Sequence, residues 1–524
     1  MLLKIITALA IFLSALTASG QTWIGGTVTS AKGVPVDGAN VFIAGSIEGA
    51  STDSAGRFRF STAQTGTVTL GVSYIGYKDY QLTANVTAMA ALSIVLSAQD
   101  KSLGEIVIRA SSFSLGKTRT LEKMDALDVV MTGSSNGDIY GALQSLPGTQ
   151  KVGEDGKLYI RGGENRETQT FIDGMHVLEP YTSTAQDMPS RGRFSPFLFD
   201  GINFSLGGYE SEYGQALSAV LPMDTKDVAA STKAGINVSP LSIGGGGSLA
   251  FKKSSLSANV TYTNLGLYNK AFPDAYTWKS PYQNLSAEAQ YKAAFGATGI
   301  FKLYTGYDKT AFIRSFADTL NHIPIRDFNL NQDNYYVNAT VRSQTKNNYH
   351  LFLGAALSYI NNRYANADFQ NDEYRESENE LHIKARVDKN ISRIYKVSGG
   401  MEAYLKGYQN HYRDTLYRQV QDLHTNYDLY AAYIDNQFRI VHGLYGNISG
   451  RLEYAGFNKE WNAAPRISLN YIGDKFQVSA IYGKYYQTPD NTVLVSAHRN
   501  LKQELATHYI LGTSYDFNGK LIKA

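Results

Sequence analysis

Tyr349–Tyr359 reads YHLFLGAALSY. Its odd positions hold Tyr349, Leu351, Leu353, Ala355, Leu357 and Tyr359; its even positions hold His350, Phe352, Gly354, Ala356 and Ser358. A period of two with one apolar face means a strand whose two sides meet different environments. The pattern recurs. In Leu381–Asp388 the odd positions are Leu, Ile, Ala and Val, and the even ones are His382, Lys384, Arg386 and Asp388. In Leu444–Tyr454 the apolar side is Leu444, Ile448, Leu452 and Tyr454, and the polar side includes Asn447, Ser449, Arg451 and Glu453. Past residue 228 there are about 14 such runs by this criterion. Each is about 8–13 residues long, which suits a tilted membrane strand.

The connections sort by length as well. Ala294–Thr298, Gln344–Asn348, Lys389–Arg393 and Gly473–Asp474 are short, whereas Asn264–Ser286, Asp308–Asp333, Asn361–Glu378, Gly407–Thr425 and Thr488–Leu505 are long and polar. Short turns at one end and long loops at the other are the pattern of outer-membrane barrels. A soluble sandwich or propeller is the alternative, but a soluble sheet has no reason to sort its loops this way. Of the chain's 37 tyrosines, 29 follow Ala230. Their amphipathic rings suit the two water–lipid boundaries.

Composition narrows the function. The 524 residues carry 49 basic and 46 acidic side chains, a net charge of +3. That balance provides no field for nucleic acid. Cysteine is absent, which excludes disulfides, thiolate metal sites and a cysteine nucleophile. The first residues, MLLKIITALAIFLSALTASGQ, place Lys4 before the apolar run Ile5–Leu16 and small residues Ala18-Ser19-Gly20 before Gln21. Residues 1–20 therefore read as a secretory signal peptide, with an apolar run too short to span a bilayer. No later run of 18 successive apolar residues occurs. A membrane role then requires a closed β-barrel.

Residues 21–100 read as a β-sandwich. Ile24–Thr29 and Ala39–Ile43 are strand-like, an Asp53–Gly56 turn precedes Phe58 and Phe60, and VTLGVSY, YKDYQLT and LSIVLS follow. Short strands at this spacing fit that architecture. The runs G-x-V, G-x-P-V-x-G-A-x-V and T-D-x-x-G-x-F resemble the carboxypeptidase regulatory-like domain. The resemblance implies an accessory module, and no metal-ligand cluster of a peptidase accompanies it.

Residues 104–228 read as an α+β domain. GEIVIRA (Gly104–Ala110) is a short β-prone run. In SSNGDIYGALQSLPGTQ, Ser134 or Ser135 can cap a helix that sets Ile139, Ala142, Leu143 and Leu146 on one face and stops at Pro147-Gly148. LYIRGGENRETQTFIDGMH (Leu158–His176) is two short strands around a polar, Gly-rich connection, the second closing in an Asp-Gly turn. NFSLGGYESEYGQALSAVLPMDTKD adds a Gly-rich turn and another β-prone run.

Together these segments resemble the plug of TonB-dependent receptors: the helix ending at Pro-Gly, the Arg-Gly strand with its Asp-Gly partner, and the Tyr-Gly segment leading into a barrel. PRISLNYIGDKFQVSAIYGKYYQTPDN and NLKQELATHYILGTSYDF resemble the family's mid-barrel strands. The order sandwich, plug, barrel (229–524) resembles receptors of the Bacteroidetes type. The resemblance implies a Gram-negative outer-membrane importer of a large scarce solute (siderophore, cobalamin or oligosaccharide), its N-terminal domains on the periplasmic side. Its implied partners are TonB with the inner-membrane proton-driven complex, outer-membrane lipid and a solute the sequence does not name. It leaves open whether a surface lipoprotein joins them. Glu105, Ile106, Val107 and Ile108 form the candidate TonB box, a short extended run suited to strand addition; a linker strand is the plain alternative. Arg161, Gly162, Gly163, Asp173 and Gly174 carry the plug motif. Arg161 and Asp173 are expected to brace the plug, Arg161 through a local role in the hairpin rather than a salt bridge to the barrel.

Size adds an expectation. A compact domain of about 120 residues is roughly 35 Å across. A 14-strand barrel leaves roughly 18 Å inside its wall, whereas 22 strands leave about 34 Å. The sequence is thus expected to hold about 14 of 22 strands, with about eight more beyond its C-terminal end. No catalytic residue, metal or cofactor is expected: neither H-E-x-x-H nor G-x-S-x-G occurs. Acid-rich Gln370–Glu380 lacks EF-hand spacing and reads as a solvated loop. The tyrosines of Tyr404–Tyr417 suit either ligand stacking or the lipid boundary. A passive plugged channel and a surface binding or adhesion β-protein are the two other functions this pattern permits.

Overall fold

The computed structural model describes residues 22–97 and 123–523, apart from short stretches at 31–32, 45, 47, 63, 75–79, 125, 134, 136, 154, 184–189, 206, 230, 274–276, 319–322, 367–371, 393, 415–417, 474, 497–500 and 518–519. The chain divides into two compact units, Met1–Ile106 and Val107–Ala524.

The first unit is a sandwich of seven strands: β1 (Thr22–Ser30), β2 (Asn40–Ile43), β3 (Gly49–Ser51), β4 (Arg57–Thr62), β5 (Thr67–Ser73), β6 (Tyr80–Asn85) and β7 (Leu92–Leu96). One sheet has the order β4-β1-β7 and the other β3-β2-β5-β6. Alternate residues point inward, so Ile24, Val28, Val41, Ile43, Phe58, Phe60, Leu70, Val72, Ile94 and Leu96 form one buried core. The Asp53–Gly56 turn forms because the Asp53 carboxylate accepts the N–H groups of Ala55 and Arg57 at 2.9 and 2.8 Å, while Gly56 adopts φ 72°.

The second unit begins with a plug. A mixed sheet of order β12-β11-β14-β13-β8 joins β8 (Lys123–Met124), β11 (Thr168–Ile172), β12 (Met175–Val177), β13 (Phe199–Asn203) and β14 (Ala219–Thr225). A small hairpin pairs β9 (Thr149–Gln150) with β10 (Tyr159–Ile160). Helices α1 (Ala126–Met131) and α2 (Ile139–Leu143) cover the sheet, and every residue of α2 is buried. The cap of α2 differs from the expected serine. Asp138 accepts from the N–H groups of Tyr140 and Gly141, while Ser135 donates back to the Val129 and Thr132 carbonyls. A carboxylate can take two N–H donors at once and also reaches Gly192 N–H, which the serine hydroxyl does not.

The wall is one antiparallel sheet of fifteen strands among the described residues, in sequence order. These are β15 (Lys233–Val238), β16 (Ser242–Ala250), β17 (Ser254–Asn264), β18 (Thr277–Phe295), β19 (Gly299–Asp318), β20 (Ile323–Gln344), β21 (Tyr349–Asn366), β22 (Asp372–Ser392), β23 (Tyr395–Asp414), β24 (Gln419–Val441), β25 (Leu444–Ala455), β26 (Glu460–Ile472), β27 (Phe476–Gln487), β28 (Glu504–Phe517) and the four-residue β29 (Lys520–Lys523). Fourteen full strands match the alternation count. Among the described residues β15 pairs with β16 and β29 with β28, so the sheet is an arc around the plug.

The strands are longer than the expected 8–13 residues: β18 to β24 run 18–23 residues each. The segments Asp308–Asp333, Asn361–Glu378 and Gly407–Thr425, expected as loops, are largely hairpin arms that continue past the membrane. Alternation marks a strand only where its faces differ, and above the membrane both faces are wet. Asp372–Glu380 and Tyr404–Asp414 therefore also lie in strands.

Burial across the wall is inverted relative to a soluble sheet. In β21 the outward Leu351, Leu353 and Leu357 are 40%, 60% and 58% exposed, while the inward Phe352 and Ala356 are buried. In β22 Ile383 and Val387 are exposed, and His382 and Lys384 are buried. In β25 Ile448 and Leu452 face out, and Ser449, Arg451 and Glu453 face in. Leaving each large aliphatic side chain in water forgoes about 1.5–3 kcal/mol, so this surface belongs in lipid. Aromatic rings mark its upper edge. Tyr307, Tyr335 and Tyr359 follow one another across three strands with centroids 4.7 and 6.2 Å apart. At the other edge Tyr349 pairs with Lys389, Nζ to Oη 2.7 Å. Tyr349 to Tyr359 is ten residues of tilted strand, roughly 26 Å of membrane height, close to the expected apolar band.

Candidate functional site

A wet lumen lets a plug be held by polar bonds, and the seam between plug and wall is built of them. The plug motif supplies one side. Arg161 and Gly162 take φ 51° and 81°, turning the chain out of β10. Gly163 has no room for a side chain: a Cβ would lie 2.0 Å from Ser218 Oγ and 2.4 Å from Glu167 Oε2. Asp173 and Gly174 take φ 52° and 87°, the two positive values of a type I′ turn between β11 and β12. Asp173 is fully buried. Its carboxylate accepts from Thr225 N–H at 3.2 Å and Thr225 Oγ1 at 2.6 Å, and Lys302 Nζ of the wall lies 3.3 Å away. The same ammonium donates to the Thr225 carbonyl at 2.7 Å. Asp173 thus ties β11, β14 and β19 together. Arg161 is exposed and has no ion pair among the described residues; its neighbour Arg166 makes the wall contact, a two-pronged pair with Glu504 at 2.8 and 2.9 Å. Glu105–Ile108 lies outside the described residues.

The Tyr-Gly segment supplies the other side. Between Tyr209 and Leu217 the plug meets six wall strands. Arg466 lies between the rings of Tyr209 and Tyr485, 5.0 and 4.4 Å from their centroids, and donates to the carbonyls of Tyr209, Glu210 and Tyr213. Ser211 donates to Asp435 at 2.5 Å, Gln215 to Glu453 at 3.1 Å, and His508 Nε2 lies 2.7 Å from the Leu217 carbonyl. At Gly214 the Arg451 guanidinium packs where a Cβ would lie, so any side chain there displaces it. Glu212 starts a chain of alternating charges. It pairs with Arg386 and with Lys384 at 3.0 Å; Lys384 lies 3.6 Å from Glu402; Glu402 pairs with Arg451; and Arg451 reaches Glu453 at 2.5 Å.

Two plug carboxyls two residues apart are driven in opposite directions. Burial works against the charge of Glu212, but Arg386 and Lys384 outweigh it and hold its carboxyl down at about 2. Glu210 is pushed well above the usual range by burial, with Asp435 and Glu212 adding like charge. Arg386 and Lys384 thus favour Glu212 as an anion in the seam, whereas burial and like charge favour the neutral form of Glu210.

On the β18–β21 side the bonds are mostly neutral. Gln290 donates to the Leu198 carbonyl at 3.0 Å, Asn338 to the Ile172 carbonyl at 3.0 Å, and Ser195 N–H to Glu288 at 2.9 Å. Tyr404 and Tyr408 face inward and are buried, away from the lipid boundary; Tyr404 packs on His176 of the plug at 5.8 Å, and Tyr408 donates to Glu376 of the wall at 2.9 Å. Reading the sequence singled out Asp173 but passed over His176, Glu212, Lys384, Arg451 and Arg466. The signal for the wall residues was present in the polar face of each alternating strand. None for their partners was, because the pairs are far apart in the chain. Among the described residues no group of His, Asp and Glu is placed to hold a metal ion.

Comparison with known proteins agrees with this geometry. Residues 24–108 match the carboxypeptidase regulatory-like domain. Two curated relatives are TonB-dependent receptor P39 of Formosa agariphila, 25% identical over 213 residues, and TonB-dependent receptor SusC of Bacteroides thetaiotaomicron, 27% identical over 178 residues. These alignments cover 38% and 32% of the chain but only 20% and 17% of the relatives' lengths. Among solved structures, the ferric enterobactin receptor PfeA of Pseudomonas aeruginosa superposes with a TM-score of 0.57 at 12% identity, covering 76% of this chain and 70% of that one. The siderophore receptor PirA of the same organism gives 0.56 at 13% identity, over 77% and 73%. The shared fold is a β-barrel around a plug.

Proposed function

We infer that this chain is a TonB-dependent receptor of the outer membrane, with an N-terminal carboxypeptidase regulatory-like domain, that imports a large scarce solute under TonB drive. The observation that carries the reading is the seam. A barrel of this family's width needs a stopper, and this plug is fastened by many ion pairs and hydrogen bonds beside a limited apolar contact, in which Tyr304, Tyr336, Phe352 and Ala356 of the wall join the plug core. Such bonds can exchange with water when the plug shifts. In this reading residues 21–100 are the accessory sandwich, 104–228 the plug and 229–524 barrel. Glu105–Ile108 is the strand that TonB adds to its own sheet. Arg161, Gly162, Gly163, Asp173 and Gly174 shape the plug hairpin that the pull must disturb. The solute is a siderophore, cobalamin or oligosaccharide, and a surface lipoprotein is a candidate partner in its capture. Growth of a deletion strain on panels of iron chelates, cobalamin and oligosaccharides, with and without the coupling protein, tests this. Loss of growth on one solute in both strains supports it; growth unaffected by loss of the coupling protein contradicts it.

A further inference from the structure

One contact in the seam differs from the rest because its donors and acceptors depend on protons. His176, in β12 of the plug, is buried against the wall beside His382 of β22. The backbone N–H of His176 donates to His382 Nδ1 at 3.0 Å. An N–H can only be accepted by a bare nitrogen, so Nδ1 of His382 carries no hydrogen. Its other nitrogen, Nε2, faces Glu402 Oε2 at 3.2 Å and must be the one that donates. His382 is therefore the neutral Nε2–H tautomer.

The His176 ring has the opposite requirement. Nδ1 lies 2.6 Å from Glu380 Oε1, and Nε2 lies 2.6 Å from Gln169 Oε1. Both neighbours are acceptors. The Gln169 amide cannot turn to offer its NH2, because that group already donates to the Arg166 carbonyl at 2.6 Å, where an amide oxygen would meet another oxygen. Both ring nitrogens of His176 thus carry hydrogen, and the ring is an imidazolium.

The surrounding charges fit this assignment. Lys406 of β23 takes the other oxygen of Glu380 at 2.9 Å, so Glu380 stays an anion facing His176. On β22, His382 has Glu380 and Lys384 on either side; from β23 it meets Glu402 and the stacked ring of Tyr404 at 4.1 Å; and Arg451 of β25 holds Glu402 from behind. A second imidazolium at His382 would stand against a backbone donor, beside His176, Lys384 and Arg451.

We propose that His176 and His382 form a proton-operated latch between plug and wall. A proton added to His382 Nδ1 replaces an acceptor with a donor, breaks the bond to the His176 amide and loosens the β11–β12 hairpin on β22, to which His176 then stays tied only through its ring contact with Glu380 and the Lys384 bond to the Gly174 carbonyl. The latch rests on the reading that the plug is the moving part, and sets the pH at which its hairpin lets go.

The test is nitrogen NMR of the full chain, labelled with 15N-histidine in lipid nanodiscs, with His176→Gln and His382→Gln used to assign the signals. At pH 7.5 His176 is expected to show two protonated ring nitrogens, and His382 one protonated and one bare. On stepwise acidification the bare nitrogen signal should vanish over the same pH range in which the hairpin's protection falls. Amide protection of Thr170–Val177 should fall at least tenfold relative to Ala142 in the plug core. In His382→Gln the amide oxygen still accepts the His176 N–H but does not titrate, so that fall should be absent. A protonated Nδ1 on His382 at pH 7.5, or an equal fall in His382→Gln, overturns the proposal. Should that variant not fold, the wild-type nitrogen signals decide alone. None of these readouts involves a solute, so failure of the uptake reading is distinguished from failure of the latch.

Discussion

Lys384 of the wall and Glu212 of the plug meet at 3.0 Å, with the lysine side chain fully buried and the glutamate nearly so. Neither ion has water to turn to. Such a pair adds little compared with an apolar pair of the same shape, but removing one partner strands the other. Glu212→Gln should therefore destabilise the plug by about 3–5 kcal/mol. Urea titration read by hydrogen exchange across Tyr209–Leu217 measures this. Adding Lys384→Met to Glu212→Gln should restore part of the loss, because it removes the stranded charge.

The same glutamate sets an acid limit. Its carboxyl is held at about 2 in the folded chain, below the ordinary 4.5, so its stabilisation is full above that ordinary value. It is lost as the pH falls from about 4.5 to about 2. Plug protection in wild type should decline across that window. In Glu212→Gln the decline should be shallower and start from a lower plateau.

Gly163 tests the packing of the motif hairpin. Gly163→Ala drives a methyl into Ser218 Oγ and Glu167 Oε2, so the Ser218–Glu167 bond must break or β11 must shift. The expected loss is about 1–3 kcal/mol, read as a lower urea midpoint for the plug. Gly162→Ala meets no neighbour but sits at φ 81°, so its cost is backbone strain alone.

The proposed TonB box, Glu105–Ile108, is tested by Ile106→Pro. Proline removes an N–H from the strand that would be added to the coupling protein. Uptake should be abolished while the amount of folded barrel in outer membranes is unchanged. Unaltered uptake would remove Glu105–Ile108 from the account.

How far the sequence reached depends on which physics each feature uses. Tyr349–Tyr359 disclosed the wall because alternation is written locally, one residue at a time. The hairpin arms above the membrane, such as Asp372–Glu380, were not legible as strands because both of their faces are polar. Asp173-Gly174 was legible because a type I′ turn selects those residues. Asp138 was missed as a cap in favour of the neighbouring serines, a choice that turned on contacts with Gly192, far off in sequence. Lys384, Arg451 and Arg466 were visible as inward polar positions, but their partners Glu212, Glu402 and the Tyr213 carbonyl were not, since pairing across 49 to 253 residues leaves no local pattern. His176 lies at the end of the Leu158–His176 stretch, yet its role depends on Glu380 and His382 more than 200 residues away.

The absence of cysteine from the chain permits the most direct test of the whole arrangement, in which the wall turns leucines to lipid and charges to the plug. A fluorophore on a single cysteine at Leu353, and separately at Ser358, is challenged in proteoliposomes with brominated lipid and with a water-soluble quencher. The account predicts strong quenching by lipid and little from water at position 353, and little quenching by lipid at position 358. Ready quenching of the Leu353 probe from water, with no response to brominated lipid, would contradict it.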